Sequence, residues 1–474
     1  MTDICNVTII TKSDVSTVLV KKGTRLYDIF IDKDIHNEHP CGGMGRCKKC
    51  GVLVNGKEEL SCRYIVKEDI TVEINSDKGL IQTAEVSSNK TAFCRDISLA
   101  LDIGTTTLAA AVFNSKGEIF KSGTRNNSQR KFGSDVISRI AFCTENGPEL
   151  LQSVLLENIK ALFSELLSDT GNHKAEKLYV AGNTTMLHTL LGVDCSSIGV
   201  SPYTPVFLDM KEFEGSQINL NFAEKIILLP GINSFVGADI VSGLVYTGIP
   251  ENKDVSILVD LGTNAECVIY SSDRILCTSA AAGPCFEGAN IACGMSALKG
   301  AISSFCSNGC YEVIGDCTPT GICATGLIDI MACLIEKGII DKTGKMDCVR
   351  YDITDDVYIT QEDVRQFQLA KSAVYSAVSI LINRFGIDIK NVKNLYVAGG
   401  ISSRLNIINA VKTGLFPFAL SEKFIPADNS SLSGLVKFAV SETDLSWITD
   451  KSEYIDLSSD TDFSELFINN MFFG

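Results

Sequence analysis

The 474-residue sequence predicts an α/β protein: a small β-rich N-terminal segment followed by a duplicated α/β lobe. Three observations predict it. Ser98-Leu-Ala-Leu-Asp102-Ile-Gly104-Thr-Thr-Thr-Leu recurs as Ser256-Ile-Leu-Val-Asp260-Leu-Gly262-Thr-Asn-Ala-Glu. Downstream of each copy, in the same order, Lys177-Leu-Tyr-Val-Ala-Gly182-Asn recurs as Asn394-Leu-Tyr-Val-Ala-Gly399-Gly. Ahead of both copies, four of the 18 cysteines crowd into residues 41–62. Two matched landmarks in one order mark an internal repeat.

Composition narrows the class. Apolar residues make up 45% and charged residues 21%, which excludes a disordered chain. A formal charge of −15 argues against a sequence-blind grip on nucleic acid. No run of 18 apolar residues suggests a membrane span, and Met1-Thr-Asp-Ile-Cys-Asn has no signal-peptide pattern. The expected compartment is the cytoplasm, where thiols stay reduced and clustered cysteines point to metal or redox chemistry.

In the N-terminal segment (1–80), residues 4–20 alternate as a hairpin does, and Leu26 to Ile31 reads as a short helix. Then come Cys41, Cys47, Cys50 and Cys62, spaced C-x5-C-x2-C-x11-C among Gly42, Gly43 and Gly45. Four thiolates from a tight loop and a returning strand can hold two irons and two sulfides. A structural zinc is the alternative, although only one cysteine pair has zinc-knuckle spacing. The loop resembles that of plant- and adrenodoxin-type 2Fe–2S ferredoxins on a β-grasp fold, with a much shorter last gap. Residues 1–80 hold 12 basic and 12 acidic side chains, and Arg46, Lys48, Lys49, Lys57 and Arg63 surround the cysteines. Such a rim suits an acidic electron donor such as a ferredoxin or flavodoxin, or is simply solvated lysine.

A Ser- and Asn-rich linker (81–96) leads to a first lobe (97–250) and a second with a C-terminal tail (251–474). Each lobe opens with three strands: 97–103, 107–113 and 118–122, then 256–261, 265–270 and 274–278. Helices are expected at 134–143, 149–169, 324–337 and 361–385, the last capped by Thr360. The acidic, apolar-studded tail 441–474 reads as a packed strand and helix.

The chemistry lies in the two Asp-x-Gly-Thr turns. A buried strand ending in Asp and followed by Gly-Thr offers N–H groups and hydroxyls to phosphate oxygens. Gly104, Thr105, Thr106, Gly262, Thr263 and Asn264 would clamp the phosphates of ATP, with the turns facing each other across a cleft. Asp102 and Asp260 would hold Mg2+ through its waters. Gly399 and Gly400 would let the nucleoside approach closely.

The double lobe resembles the acetate and sugar kinase, Hsp70 and actin (ASKHA) superfamily, with its RNase H-like lobes. The whole chain is more similar to ATP-dependent reductive activators of corrinoid proteins, which join a 2Fe–2S domain to such an ATPase. Phe132-Gly-Ser-Asp135-Val-Ile-Ser-Arg139, Ala181-Gly-Asn183-Thr-Thr-Met, Ala281-Ala-Gly283-Pro-Cys-Phe-Glu287-Gly288, Gly321-Ile-Cys-Ala-Thr-Gly326-Leu-Ile-Asp329 and Gln368-Leu-Ala-Lys371 carry the likeness. It implies that electrons reach a Co(II) corrinoid protein of a methyltransferase system and regenerate Co(I), with ATP driving the step. It places Gly283, Glu287 and Gly288 along the nucleotide cleft or in a buried lobe turn. Asp135 and Asn183 would orient water or cap helices. Such activators often carry a middle domain between cluster and ATPase, which the short linker leads one to expect missing here. Activation of another metalloenzyme and small-molecule kinase activity are the competing functions, and a homodimer is the assembly to test. Cys306, Cys310, Cys317 and Cys323 form a loose set, read as packed thiols before a second metal site. The four histidines (36, 39, 173, 188) have no zinc-enzyme spacing.

Overall fold

The computed structural model describes residues 4–11, 15–33, 35, 50–74, 87–88, 97–168, 174–249 and 254–473. Cys41, Cys47, Arg46, Lys48, Lys49 and three of the histidines lie outside them. The chain divides into two compact units, Met1–Leu228 and Leu229–Gly474.

The first unit begins with the expected hairpin, Ile4–Ile10 against Val15–Lys21. Val7 and Ile9 alternate inward under the helix Leu26–Asp32, whose Leu26, Ile29 and Phe30 close a small core with Val52, Val54 and Val72. Ile70–Glu73 then pairs parallel to the first strand, giving a five-stranded mixed sheet in a β-grasp arrangement. Most of the expected linker lies outside the described residues. Ser87–Ser88 is not plain linker, because it pairs antiparallel with Lys121–Ser122 on the edge of the next sheet.

That sheet and the central sheet of the second unit share one strand order. In the first, the strands run Ala223–Leu228, Ala175–Gly182, Ile97–Ile103, Thr107–Asn114, Ile119–Asn126. In the second, they run Phe424–Pro426, Asn394–Ala398, Ser256–Leu261, Ala265–Tyr270, Ile275–Ala280. The register repeats too: Asp102 pairs with Ala181, and Asp260 with Ala398. The duplication read from the landmarks is a duplication of topology.

The second compact unit begins at Leu229. The helix Ala238–Tyr246 belongs to it and packs on the helix Ser430–Ser441. Small residues let the two backbones meet: a Cβ at Gly434 would stand 1.9 Å from the Ser242 carbonyl. Sequence punctuation shows where a helix ends, not which sheet it covers.

The long helix Gln361–Phe385 carries the expected cap as a reciprocal box between Thr360 and Asp363. The tail forms the strand Ser452–Tyr454, pairing with Ile275–Cys277, and the helix Thr461–Asn469. Gln368 Nε2 donates to the Met471 carbonyl at 2.7 Å, and Lys371 Nζ to that of Phe472 at 2.6 Å. Burial pulls the Lys371 amine down to about 8. Gln368 and Lys371 thus latch the tail.

Candidate functional site

In the second unit, Ser256–Leu261 ends at a turn in which Gly262 N–H donates to the Asn264 carbonyl at 2.9 Å. Thr263 Oγ1 donates to Glu287 Oε2 at 2.9 Å, so Glu287 reaches the turn from its own short helix, Pro284–Glu287. Gly283 and Gly288 bracket that helix at φ +75° and +81°, where an L side chain would be strained. Gly399, at φ +91°, comes so near that a Cβ there would lie 2.4 Å from the Leu261 carbonyl and 3.1 Å from Asp260 Oδ1. Gly400 has open space beside it. The structure therefore brings Asp260, Thr263, Glu287 and Gly399 to one place.

Two acids that the sequence reading missed join them. Glu266 is the cross-strand partner of Asp260, and Asp239 sits in the first turn of the helix Ala238–Tyr246. Burial pushes Asp260 up to about 7, with the charge of Asp239 adding to it, and burial pushes Asp239 up to about 6. Burial and both aspartates raise Glu266 well above the usual carboxylate range. Burial is the first cause of all three shifts, and the charge of Asp239 adds to those of Asp260 and Glu266. One signal was available: Glu266 interrupts an otherwise apolar strand.

In the first unit the equivalent turn is held from beneath. Gly104 N–H donates to the Thr107 carbonyl at 3.0 Å, and Asn127 Nδ2 donates to the Gly104 carbonyl at 2.9 Å. Arg139 is fully buried; its Nε donates to the Gly133 carbonyl at 2.9 Å and its Nη2 to the Thr105 carbonyl. Asn183 has two tasks: its Oδ1 caps the helix Thr184–Leu190, and its Nδ2 donates to Thr105 Oγ1 at 3.0 Å. Asp135 caps the helix Val136–Asn146, accepting from Ser138 N–H at 2.8 Å. Asn127 and Arg139 are the supports that spacing did not single out as site residues.

The N-terminal cysteines are half in view. Cys50 and Cys62 are buried with Tyr27, and their Sγ atoms stand 3.1 Å apart without a bond. Thiolates on one tetrahedral metal stand roughly 3.8 Å apart, so this pair fits two ligands of one iron with a small outward shift. Cys41 and Cys47 lie outside the described residues. Among the described residues no three metal-ligating side chains converge. Cys317 and Cys323 turn to the carbonyls of Ile314 and Ile302. Of the histidines, His188 is buried, and its Nε2 accepts from Val206 N–H at 3.0 Å.

Two family models match end to end. Residues 97–252 match the RACo middle region, and residues 254–474 match the C-terminal domain of RACo, the ASKHA domain. The chain belongs to the RACo family. The middle region expected to be missing is therefore present, as the first copy of the repeat. A corrinoid activation enzyme, RamQ, from Eubacterium limosum is 27% identical over 92% of the chain and 93% of its own length. The [Co(II) methylated amine-specific corrinoid protein] reductase of Methanosarcina barkeri is 26% identical over 64% of the chain and 62% of its own. The solved structure of a reductive activator for a corrinoid, iron-sulfur protein superposes with a TM-score of 0.73 at 26% identity, covering 98% of both chains.

Proposed function

We propose that this RACo-family chain is an ATP-dependent reductive activator. It delivers low-potential electrons to a Co(II) corrinoid protein and returns the cobalt to Co(I) for methyl transfer. The observation that carries this reading is the end-to-end likeness to a reductive activator for a corrinoid, iron-sulfur protein.

Cys41, Cys47, Cys50 and Cys62 would hold a 2Fe–2S group, which supplies one-electron chemistry at roughly −400 mV in plant-type sites. The chain's part is to bury Cys50 and Cys62 beside Tyr27 and keep water from their sulfurs. Lys57 and Arg63 are exposed on the same domain and suit an acidic donor such as a ferredoxin or flavodoxin.

ATP is the second substrate. Asp260, Gly262, Thr263, Asn264, Glu287, Gly399 and Gly400 form its proposed site in the second unit, with Gly283 and Gly288 shaping the Glu287 turn. Asp102, Gly104, Thr105 and Thr106 supply the first unit's phosphate turn. Asp102 and Asp260 would reach Mg2+ through its waters. Asn183 and Asp135 both cap helices, but Asn183 also touches Thr105 and is the better candidate to order a water.

The test is anaerobic. Reduced protein, ATP and a Co(II) corrinoid protein are mixed, and the Co(I) spectrum is followed. Co(I) should form only with all three present, with hydrolysis rising on addition of the corrinoid protein. Phosphoryl transfer to a small alcohol or acid without Co(I) would overturn the reading in favour of a kinase.

A further inference from the structure

The hairpin of Ala301–Phe305 with Tyr311–Val313 carries two cysteines at its tip that the sites above do not use. Phe305 pairs with Tyr311, so Cys306 and Cys310 occupy the next rung. Cys306 N–H donates to the Cys310 carbonyl at 2.9 Å, and Gly309 N–H to the Cys306 carbonyl at 2.9 Å. With Gly309 at φ +88°, the loop Ser307-Asn308-Gly309 is a tight three-residue hairpin connection. Asn308 Oδ1 holds the tip from inside, accepting from the Cys306 thiol at 2.6 Å and from Cys310 N–H at 3.3 Å.

Both cysteines are exposed, and the Cys306 thiol also reaches the Cys310 carbonyl across the rung at 2.9 Å. Opposed residues on such a rung have Cα atoms roughly 5.5 Å apart, within the span a disulfide bridges. Buried Cys323, by contrast, is tied to the Ile302 carbonyl. The hairpin is also a wall. Tyr311, Glu312 and Val313 line, with Ser303, Ser304 and Arg404, a cavity of about 770 Å³. Arg404 follows closely on the Gly399-Gly400 turn.

We propose that Cys306 and Cys310 are a reversible dithiol–disulfide site that exchanges with low-molecular-weight disulfides and fixes the hairpin tip when oxidised. The thiolate of one cysteine attacks a small disulfide, forming a mixed disulfide and releasing one small thiolate. The thiolate of the other cysteine attacks the protein-side sulfur and releases the second. The two cysteine protons end on the two small thiols, and the electron pair passes to the small disulfide. This site stands on the hairpin alone and does not depend on the corrinoid reading.

The test uses the full chain, purified without oxygen and equilibrated at graded ratios of oxidised to reduced glutathione. After quenching with N-ethylmaleimide, cleavage at Lys and Glu separates Cys306 and Cys310 from Cys317. The fragment holding both should lose its two alkylation marks together and become lighter by two hydrogens, reversibly. C317S and C323S should change nothing, while C306S and C310S should each stop at one glutathione adduct. Two alkylated cysteines at the most oxidising ratio, in a chain still folded by circular dichroism, would overturn the proposal. So would a wild-type chain that stops at a single adduct.

Discussion

Asp260 and Glu266 stand opposite each other on one rung of the pair Ser256–Leu261 and Ala265–Tyr270. In the first repeat the rung of Asp102 is completed by Ala109. The two copies share a strand order and differ in charge: the second faces its aspartate with another acid, and Asp239 adds a third. The geometry gathers three carboxyls whose proton affinity burial raises.

This charge has a pH signature. Asp260 rises from 3.8 to about 7 and Asp239 to about 6. The folded state therefore keeps protons that the unfolded chain has released, and stability falls as pH climbs through that window. Between about pH 5 and about pH 8 the nucleotide-free protein should lose on the order of 1–3 kcal/mol, read as a falling Tm. D260N and E266Q should flatten the decline while abolishing ATP hydrolysis, and Mg-ATP should restore Tm at the alkaline end.

Neighbouring glycines should behave differently. G399A sets a methyl against the Leu261 carbonyl at a left-handed φ, so it should cost about 1–3 kcal/mol and displace Asp260. G400A meets open space and should fold as the parent does. A weaker nucleotide affinity in G400A, by titration of a fluorescent ATP analogue, would mark contact with the nucleoside; unchanged affinity would remove Gly400 from the site.

Arg139 holds the Gly104–Thr105 turn from within the protein interior, through the Gly133 and Thr105 carbonyls. R139M strips the donors from the Thr105 and Gly133 carbonyls, at a cost of about 2–4 kcal/mol. The KM for ATP should rise more than kcat falls, since the turn is loosened and not removed. Equal losses in both would assign Arg139 a direct part in hydrolysis.

The buried thiols set the last expectation. C50S and C62S should each yield protein lacking the iron, sulfide and visible absorption of the parent, with ATP binding retained. Zinc in place of iron in anaerobically purified parent protein would return the site to the zinc alternative.

Much of this was legible in order along the chain. The strands 97–103, 256–261 and 265–270 and the helix 361–385 match their expected ranges almost residue for residue, because apolar alternation and a capping box are local signals. Thr263 and Glu287, 24 residues apart, were both named, although only folding shows their hydrogen bond. Asp239 was missed because one acid in an apolar run looks like a helix start.

The sequence by itself determined the duplication, the two Asp-x-Gly-Thr turns and the cysteine spacing, since each is written in residues a few positions apart. Tertiary structure decided which sheet the helix Ala238–Tyr246 covers, that Asp239 and Glu266 gather with Asp260, and that Arg139 buttresses Thr105. Periodicity specifies which face of an element is buried. It leaves open which partner buries it, and that choice is made by strand register and by the close approach that small residues such as Gly434 allow.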